Sequence, residues 1–168
     1  CYNLGEISCN NAAGGIVGLA NEGTSIFDCY NVGKISGGNY IGGLLGNCSI
    51  IGQGLKIYNS YNDGVVVGVL DYVGGIAGYL DGYNTSNVSS IYNCYNVAEV
   101  ISQGGRYVGG IVGQMSWYSS IYLCYNKGNV SGYDIVGGIL GGIHLSSNTE
   151  VVNNFNVGAV TASGSYIG

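Results

Sequence analysis

The stretch CYNVGKISGGNYIGGLLG, from Cys29 to Gly46, decides the fold because the chain repeats its two blocks. The first block has an Ile or Val at each end, nine positions apart, and it occupies residues 26–35, 57–66, 91–100, 121–130 and 151–160, with a partial copy at 1–7. The second is Gly-Gly, two aliphatic residues and Gly, and it occupies residues 14–18, 42–46, 74–78, 109–113 and 137–141. The period of 28 to 35 residues varies only in the connections between blocks, which indicates a repeat protein.

The contents of the repeat favour strands over helices. The chain has 33 Gly and no Pro, and each Gly inside a helix costs about 1 kcal/mol relative to Ala. Short runs of Val, Ile and Tyr between Gly and Asn are typical of strands and turns. We therefore predict an all-β parallel β-solenoid over residues 1–168, a single repeat domain, with about 30 residues per rung, roughly three short strands per rung and five to six rungs.

The same fold explains the unusual composition. Glycine is expected at corners that require a positive φ, and proline is absent because it would remove a hydrogen bond between rungs. The chain begins and stops inside copies of the repeat, so we interpret it as a segment of a longer repeat protein.

Equivalent residues of successive repeats should lie above one another in columns. The aliphatic column contains Ile26, Ile57, Ile91 and Ile121, the aromatic column Tyr30, Tyr61, Tyr95 and Tyr125, and the thiol column Cys29, Cys94 and Cys124. Aromatic stacking is the favoured interpretation of the second column, and a sugar- or protein-binding stripe is the alternative. The thiols are expected to be reduced, because parallel strands hold Cβ atoms farther apart than a disulfide prefers. Cys9 and Cys48 lie off this column and are either paired or free.

Three charged residues share another column. Asp71, Arg106 and Asp134 each precede the hydrophobic residue that leads into the glycine block. This alignment predicts a solvated salt ladder, with Arg106 between two carboxylates on the adjacent rungs.

The remaining chemistry excludes several classes of function. A net charge of -5 with four Lys and Arg argues against nucleic-acid binding, and no apolar run is long enough to insert into a membrane. The single His and the cysteine spacing suggest no metal site, and no cofactor motif is present. Nine scattered acids offer no designed pair of catalytic carboxylates, so we predict that the segment is not an enzyme.

The glycine block, present as GIVG, GLLG, GIAG, GIVG and GILG and combined with CYNxG, resembles the GLUG repeats of bacterial surface proteins. The resemblance spans essentially the whole chain. It implies an extracellular or cell-surface location, in a large secreted or wall-anchored protein that is sometimes an adhesin and sometimes carries a separate protease domain. It carries over no catalytic residue.

The connections that follow the glycine blocks vary most and all emerge from one corner. Two consecutive connections carry the candidate ligand-binding residues Tyr79, Tyr83, Met115, Trp117 and Tyr118. Aromatic residues on variable loops of a rigid frame are typical of binding sites, here for a host or environmental glycan or protein. The alternative is that they only cover the apolar edge of the coil.

These observations predict a rigid spacer with an adhesive loop edge. The partners of the spacer include neighbouring repeats or modules of the same protein. Two alternatives remain open. One is a filament formed by end-to-end stacking of modules, and the other is a carbohydrate-binding or carbohydrate-active β-helix.

Overall fold

The computed structural model describes residues 1–49, 52–144 and 148–168, and the predicted parallel β-solenoid is confirmed. None of these residues is helical. The chain winds through five complete rungs and begins a sixth. Each rung passes through five short strands, and every strand is hydrogen-bonded in parallel to the equivalent strands of the rungs above and below.

The five sheets are numbered in the order in which the chain visits them. Sheet 1 contains Tyr2–Asn3, Tyr30–Asn31, Tyr61–Asn62, Tyr95–Asn96, Tyr125–Asn126 and Phe155–Asn156. Sheet 2 contains Ile7–Cys9, Ile35–Gly37, Val66–Gly68, Val100–Ser102, Val130–Gly132 and Val160–Ala162. Sheet 3 contains Ala13–Gly14, Ile41–Gly42, Val73–Gly74, Arg106–Gly109 and Asp134–Gly137. Sheet 4 contains Val17–Ala20, Leu45–Cys48, Ala77–Leu80, Val112–Met115 and Leu140–Ile143. Sheet 5 contains Ser25–Phe27, Lys56–Tyr58, Ser89–Tyr92, Ser119–Tyr122 and Glu150–Val152.

The rung has five strands instead of the predicted three because it bends more often than expected. Two columns of residues adopt a positive φ and turn the chain. One lies between sheets 5 and 1 and contains Asp28, Asn59, Asn93, Leu123 and Asn153. The other lies at the entry to sheet 3 and contains Tyr40, Tyr72, Tyr107 and Ile135. Strands of two to four residues are what fits between such bends.

The expectation that glycine supplies the positive φ at the corners is wrong. Gly23 is the one glycine of the described residues with a positive φ, at 65°. The repeated glycines instead permit close approach of backbones. A Cβ atom on Gly43 would collide with the carbonyl oxygen of Gly75 and with the side chain of Asn62. The block therefore needs glycine for its small size.

The interior contains two hydrophobic compartments. One includes Ile26, Ile57, Ile91 and Ile121 of sheet 5 together with Leu44, Ile76 and Ile111 of the glycine blocks. The other is formed by the aliphatic residues of sheets 2 and 3, among them Ile35, Ile41, Val66, Val73 and Val100. The fully buried asparagines of sheet 1 meet the glycine blocks between these compartments.

Candidate functional site

A continuous ladder of asparagine side chains runs along the interior. Each Asn Nδ2 donates to the Oδ1 of the asparagine on the next rung over 2.7 or 2.8 Å, and the series is Asn3, Asn31, Asn62, Asn96, Asn126 and Asn156. The same Nδ2 donates to the carbonyl oxygen two residues ahead, for example from Asn62 to Gly64. The ladder was not predicted from the sequence, although the asparagines align in every repeat.

Three aromatic ladders lie on the outside of the coil. In the first, Tyr2, Tyr30, Tyr61, Tyr95, Tyr125 and Phe155 stack with ring centroids 4.9 to 5.3 Å apart. The second contains Phe27, Tyr58, Tyr92 and Tyr122, and the third Tyr40, Tyr72 and Tyr107. Because neighbouring rings cover one another's faces, mainly ring edges and hydroxyl groups are available to a ligand along the ladders.

The aliphatic and thiol columns also lie in register. Ile57 pairs with Ile26 and Ile91, and Ile91 pairs with Ile121. In the thiol column Cys29, Cys94 and Cys124 each donate to the carbonyl oxygen two residues back, over 3.0 to 3.3 Å. All six cysteines are free thiols.

Neighbouring thiols influence each other's ionisation. Burial raises the pKa of Cys94 well above its usual value. The hydrogen bond from Cys94 lowers the pKa of Cys124. Cys48, off the column, is fully buried as well, and burial raises its pKa to about 11. Cys94 and Cys48 are therefore packing groups rather than nucleophiles poised at neutral pH.

The predicted salt ladder has the right register but the wrong contacts. Arg106 pairs with Asp134 in sheet 3, and its backbone N–H donates to Asp71 Oδ1 over 2.6 Å. Among the described residues no carboxylate lies within 4.0 Å of the Arg106 guanidinium, whose Cζ lies 5.8 Å from the ring centroid of Tyr107. A short carboxylate reaches the backbone of the adjacent rung, about 4.8 Å away, more easily than it reaches the end of a long side chain.

One of the five candidate ligand-binding residues is fully buried, and the ring of a second packs against other rings. Met115 is fully buried in the first compartment, because the last residue of each four-residue strand in the middle of sheet 4 points inward. Tyr79 is half-buried, and its ring packs edge-on against Tyr40 and Tyr72 at 6.0 and 5.8 Å. Burial raises the pKa of its hydroxyl. The prediction of a binding residue is therefore wrong for Met115, whereas Tyr79 presents only part of its ring to solvent.

The other three aromatic residues remain at the loop edge. Tyr83 is 49% exposed, Trp117 is 44% exposed and Tyr118 is half-buried with a φ of 47°. No stacked or edge-on ring pair within the described residues includes Tyr83 or Trp117. Their ring faces are thus free of other rings, unlike those of the ladders.

The loop edge contains a cleft that follows from unequal connections between sheets 4 and 5. The fourth connection has three residues, 116–118, whereas the third spans 81–88 and the fifth 144–149. The resulting cleft has a volume of about 430 Å³ and is lined by Thr85, Val88, Ser120, Asn148, Thr149 and Glu150. The sequence did not point to these residues because none of them is aromatic and because they come together only across three rungs.

A second groove of about 550 Å³ crosses the outer face of sheet 2. Its floor includes Ser8, Ser36 and Val67, which pair with one another in register. The exposed side chains of Val69 and Leu70 also line this groove. Its lining mixes glycine, aliphatic and polar groups without a dominant chemistry.

One carboxyl oxygen is buried without a partner. Asp81 Oδ1 accepts no hydrogen bond, and burial raises the pKa of this carboxyl group. Within the described residues no group of three or more His, Cys, Asp or Glu side chains could hold a metal ion. Over the same residues, no helix is long and apolar enough to cross a membrane.

Comparison with known proteins adds one structural neighbour. No family model matches the chain, and no curated protein is similar to it. The fold is similar to the crystal structure of a "putative immunoglobulin A1 protease" from Bacteroides ovatus, with a TM-score of 0.56 and 24% identity. The match covers 95% of this chain and 50% of that one, so the chain spans about half the length of its neighbour. This likeness concerns the fold alone.

Proposed function

We propose that this chain is a non-catalytic, rigid spacer segment, built of GLUG-type repeats, in a secreted or cell-surface bacterial protein. The observation that carries the proposal is how the repeated side chains are used. The asparagine column, the aromatic columns and the thiol column all make their contacts between or within rungs. Side chains used in this way hold the coil together and leave little for chemistry on a substrate.

Stacked rungs resist bending because every rung is joined to its neighbours on five sides. Parallel strand pairs bind it in all five sheets, and the asparagine ladder adds a hydrogen bond in the interior. Each rung adds about 4.8 Å, so the length of such a segment increases in small, regular steps with the number of repeats.

The surface location rests on the GLUG resemblance and on composition. Charged residues make up 8% of the chain, and Gly, Asn, Ser and Tyr dominate it. The Bacteroides ovatus neighbour has the same fold in a bacterial protein about twice as long as this segment, which is consistent with a spacer inside a larger protein.

Small-angle X-ray scattering of a lengthened chain tests the spacer. Three additional copies of residues 61–94 should lengthen the particle by about 15 Å at unchanged cross-section. Growth of the cross-section instead would contradict a rod.

The surface location is tested with antibodies against the segment. They should label intact cells of the producing bacterium, and labelling that requires lysis would contradict the location.

End-to-end assembly is a second candidate function, favoured by the polarity of the asparagine ladder. Every ladder Nδ2 donates toward the following rung, from Asn3 to Asn31 at one end and from Asn126 to Asn156 at the other. Segments built of the same repeat can therefore continue one another's ladder end to end. Light scattering over a range of concentrations should show growing rods for a filament subunit and a constant mass for a spacer.

A further inference from the structure

The cleft over the fourth rung brings hydrogen-bonding groups of three rungs together. Thr85 and Val88 belong to the third connection, and Ser120 belongs to the fourth strand of sheet 5. Residues 148–150 belong to the fifth rung. Ser120 and Glu150 are register partners in sheet 5. The three-residue fourth connection leaves space beside the longer third one, and the volume of the cleft lies within the range of small-ligand sites, about 300 to 1,000 Å³.

We propose that this cleft binds a neutral saccharide through Ser120, Glu150 and the surrounding hydroxyl and amide groups, with the exposed Trp117 of the short fourth connection as a further contact. The inference goes beyond the spacer function, which requires no ligand. It supplies a location and a ligand class for the adhesive role of the loop edge.

The lining matches the chemistry of sugar hydroxyl groups. Thr85, Ser120 and Thr149 can each donate and accept a hydrogen bond, as a sugar hydroxyl can. The Glu150 carboxylate has two oxygens that can accept charge-assisted hydrogen bonds from neighbouring sugar hydroxyl groups. Asn148 adds a donor and an acceptor, and Val88 offers an apolar contact for ring C–H groups.

Charge selects a neutral ligand over an acidic one. Glu150 is the one ionisable residue among those that line the cleft, and the whole chain has a net charge of -5. An acidic sugar would bring a second negative charge beside Glu150 without a cation to balance it. A lone carboxylate also offers too few ligands for a metal ion.

Trp117 distinguishes the loop edge from the aromatic ladders. It lies three residues before Ser120, is 44% exposed and has no ring partner within the described residues, so part of its ring is accessible to a ligand. The negative face of an aromatic ring attracts the weakly positive C–H groups of a sugar. The ladders, in contrast, cover their ring faces with the next ring.

One wall of the cleft is held in place before a ligand arrives. Within the third connection, Ser86 N donates to Asn84 Oδ1 over 2.9 Å and Asn87 N donates to the Asn84 carbonyl over 3.0 Å. Gly82 N donates to the Trp117 carbonyl over 2.8 Å, which ties this wall to the short connection. A site ordered in advance loses less entropy on binding.

A glycan array tests the proposal with the complete 168-residue chain. The array carries neutral oligosaccharides that end in glucose, galactose, mannose or N-acetylglucosamine, and sialylated ones as the acidic arm. We expect binding to neutral glycans, with titrations of free lactose, maltose and chitobiose identifying the preferred sugar in solution. Glu150→Gln, Ser120→Ala and Trp117→Ala should each weaken binding at least about tenfold, as the loss of one charge-assisted or buried contact does.

Two matched control variants show whether a loss of glycan binding is specific to the cleft. Glu22→Gln removes an exposed carboxylate from the first connection, and Ser25→Ala changes a serine of the same sheet 5 column on the first rung. Both should bind as the unaltered chain does, and circular dichroism shows whether each variant is folded. The proposal is overturned by absence of neutral-glycan binding, by preference for sialylated glycans, or by unchanged binding of folded Glu150→Gln and Ser120→Ala. None of these results would alter the rod dimensions measured by scattering, so the spacer function is tested separately.

Discussion

Asn62 is fully buried, yet each of its side-chain polar atoms has a hydrogen-bond partner. Its Oδ1 accepts from Asn31 and from the Gly64 N–H, and its Nδ2 donates to Asn96 and to the Gly64 carbonyl. An unpaired buried polar group costs roughly 1 to 3 kcal/mol, so this side chain contributes to stability by satisfying its neighbours on two other rungs.

Replacing Asn62 with aspartate should therefore destabilise the protein strongly. Asn62→Asp keeps the shape but removes both donated bonds and buries a charge, and we expect a loss of about 3 kcal/mol or more in the free energy of unfolding. Urea denaturation at pH 7 measures it. Asn59→Asp is the matched control, because Asn59 is exposed and its oxygen accepts from Asn93. Equal losses in the two variants would contradict the role of the ladder.

Glycine size, rather than glycine flexibility, is expected to limit substitution in the repeated block. A Cβ on Gly75 would overlap the Gly110 carbonyl oxygen and lie 2.6 Å from Asn96 Cγ, whereas a Cβ on Gly104 would meet only the Val69 oxygen, at 3.7 Å. We expect Gly75→Ala to cost about 2 kcal/mol or more, and Gly104→Ala to be neutral or to stabilise by about 0.5 kcal/mol. Thermal unfolding of both variants checks this. A stable Gly75→Ala protein would show that the rungs can separate at the block.

The buried oxygen of Asp81 makes this carboxylate unfavourable at neutral pH. Burial raises the pKa of Asp81 in the folded protein above the unfolded value of 3.8. The folded protein is therefore favoured below pH 3.8, and it loses this part of its stability as the pH rises through the folded pKa. Asp81→Asn should therefore raise the free energy of unfolding at pH 7, by at most about 1 kcal/mol since solvent screens part of the residue. The gain should vanish as the pH falls below about 3.8, where the carboxyl group is protonated in both states. The exposed Asp63→Asn is the control, and a gain of equal size in both variants would indicate a general charge effect.

At the scale of elements, the strands are too short to be stable alone. Sheet 1 consists of strands of two residues, each of which carries one ladder tyrosine or phenylalanine outside and one ladder asparagine inside. The sheet therefore depends on contacts between equivalent side chains of successive rungs, which are the unit of sheet stabilisation.

The aromatic ladder should show this dependence on neighbours. Tyr61 stacks on Tyr30 and Tyr95 at 5.1 and 4.9 Å, whereas Tyr2 stacks on Tyr30 alone and is 64% exposed. We expect Tyr61→Ala to cost about 2 kcal/mol and Tyr2→Ala less than about 1 kcal/mol. Tyr61→Phe should be nearly neutral, because the ring and not the hydroxyl group makes the contact. Chemical denaturation compares the three, and a large effect of Tyr61→Phe would count against stacking.

At the scale of the whole molecule, each rung contacts only the rungs next to it. Stability is then close to a sum over neighbouring pairs, and rungs with two neighbours are held more firmly than rungs with one. In the described coil the outermost rungs also expose apolar side chains such as Tyr2, Leu4, Phe155 and Val157.

Hydrogen exchange should follow this gradient. Backbone amides of the central rungs, such as those of Val66 and Val100, should exchange most slowly, and those of residues 1–9 and 160–168 fastest. Mass spectrometry of exchanged and digested protein measures the pattern. Uniform protection along the chain would indicate a single cooperative unit instead.

The sequence alone determined the period, the β-solenoid and the columns. Equal spacing between repeated blocks requires equivalent residues to lie above one another, so the pairing of Ile57 with Ile91 could be read from the printed sequence. Tyr83 and Trp117 could also be placed on the loop edge, since variable connections leave a regular coil on its surface.

Only the tertiary structure decided what meets across the coil. The packing of Asn62 on Gly43, the burial of Met115 and the cleft that joins Thr85 to Glu150 all involve residues from different blocks. Repetition specifies which residues are equivalent along the axis. It does not specify the shape of the cross-section, which depends on where the chain bends and on how closely its backbones approach.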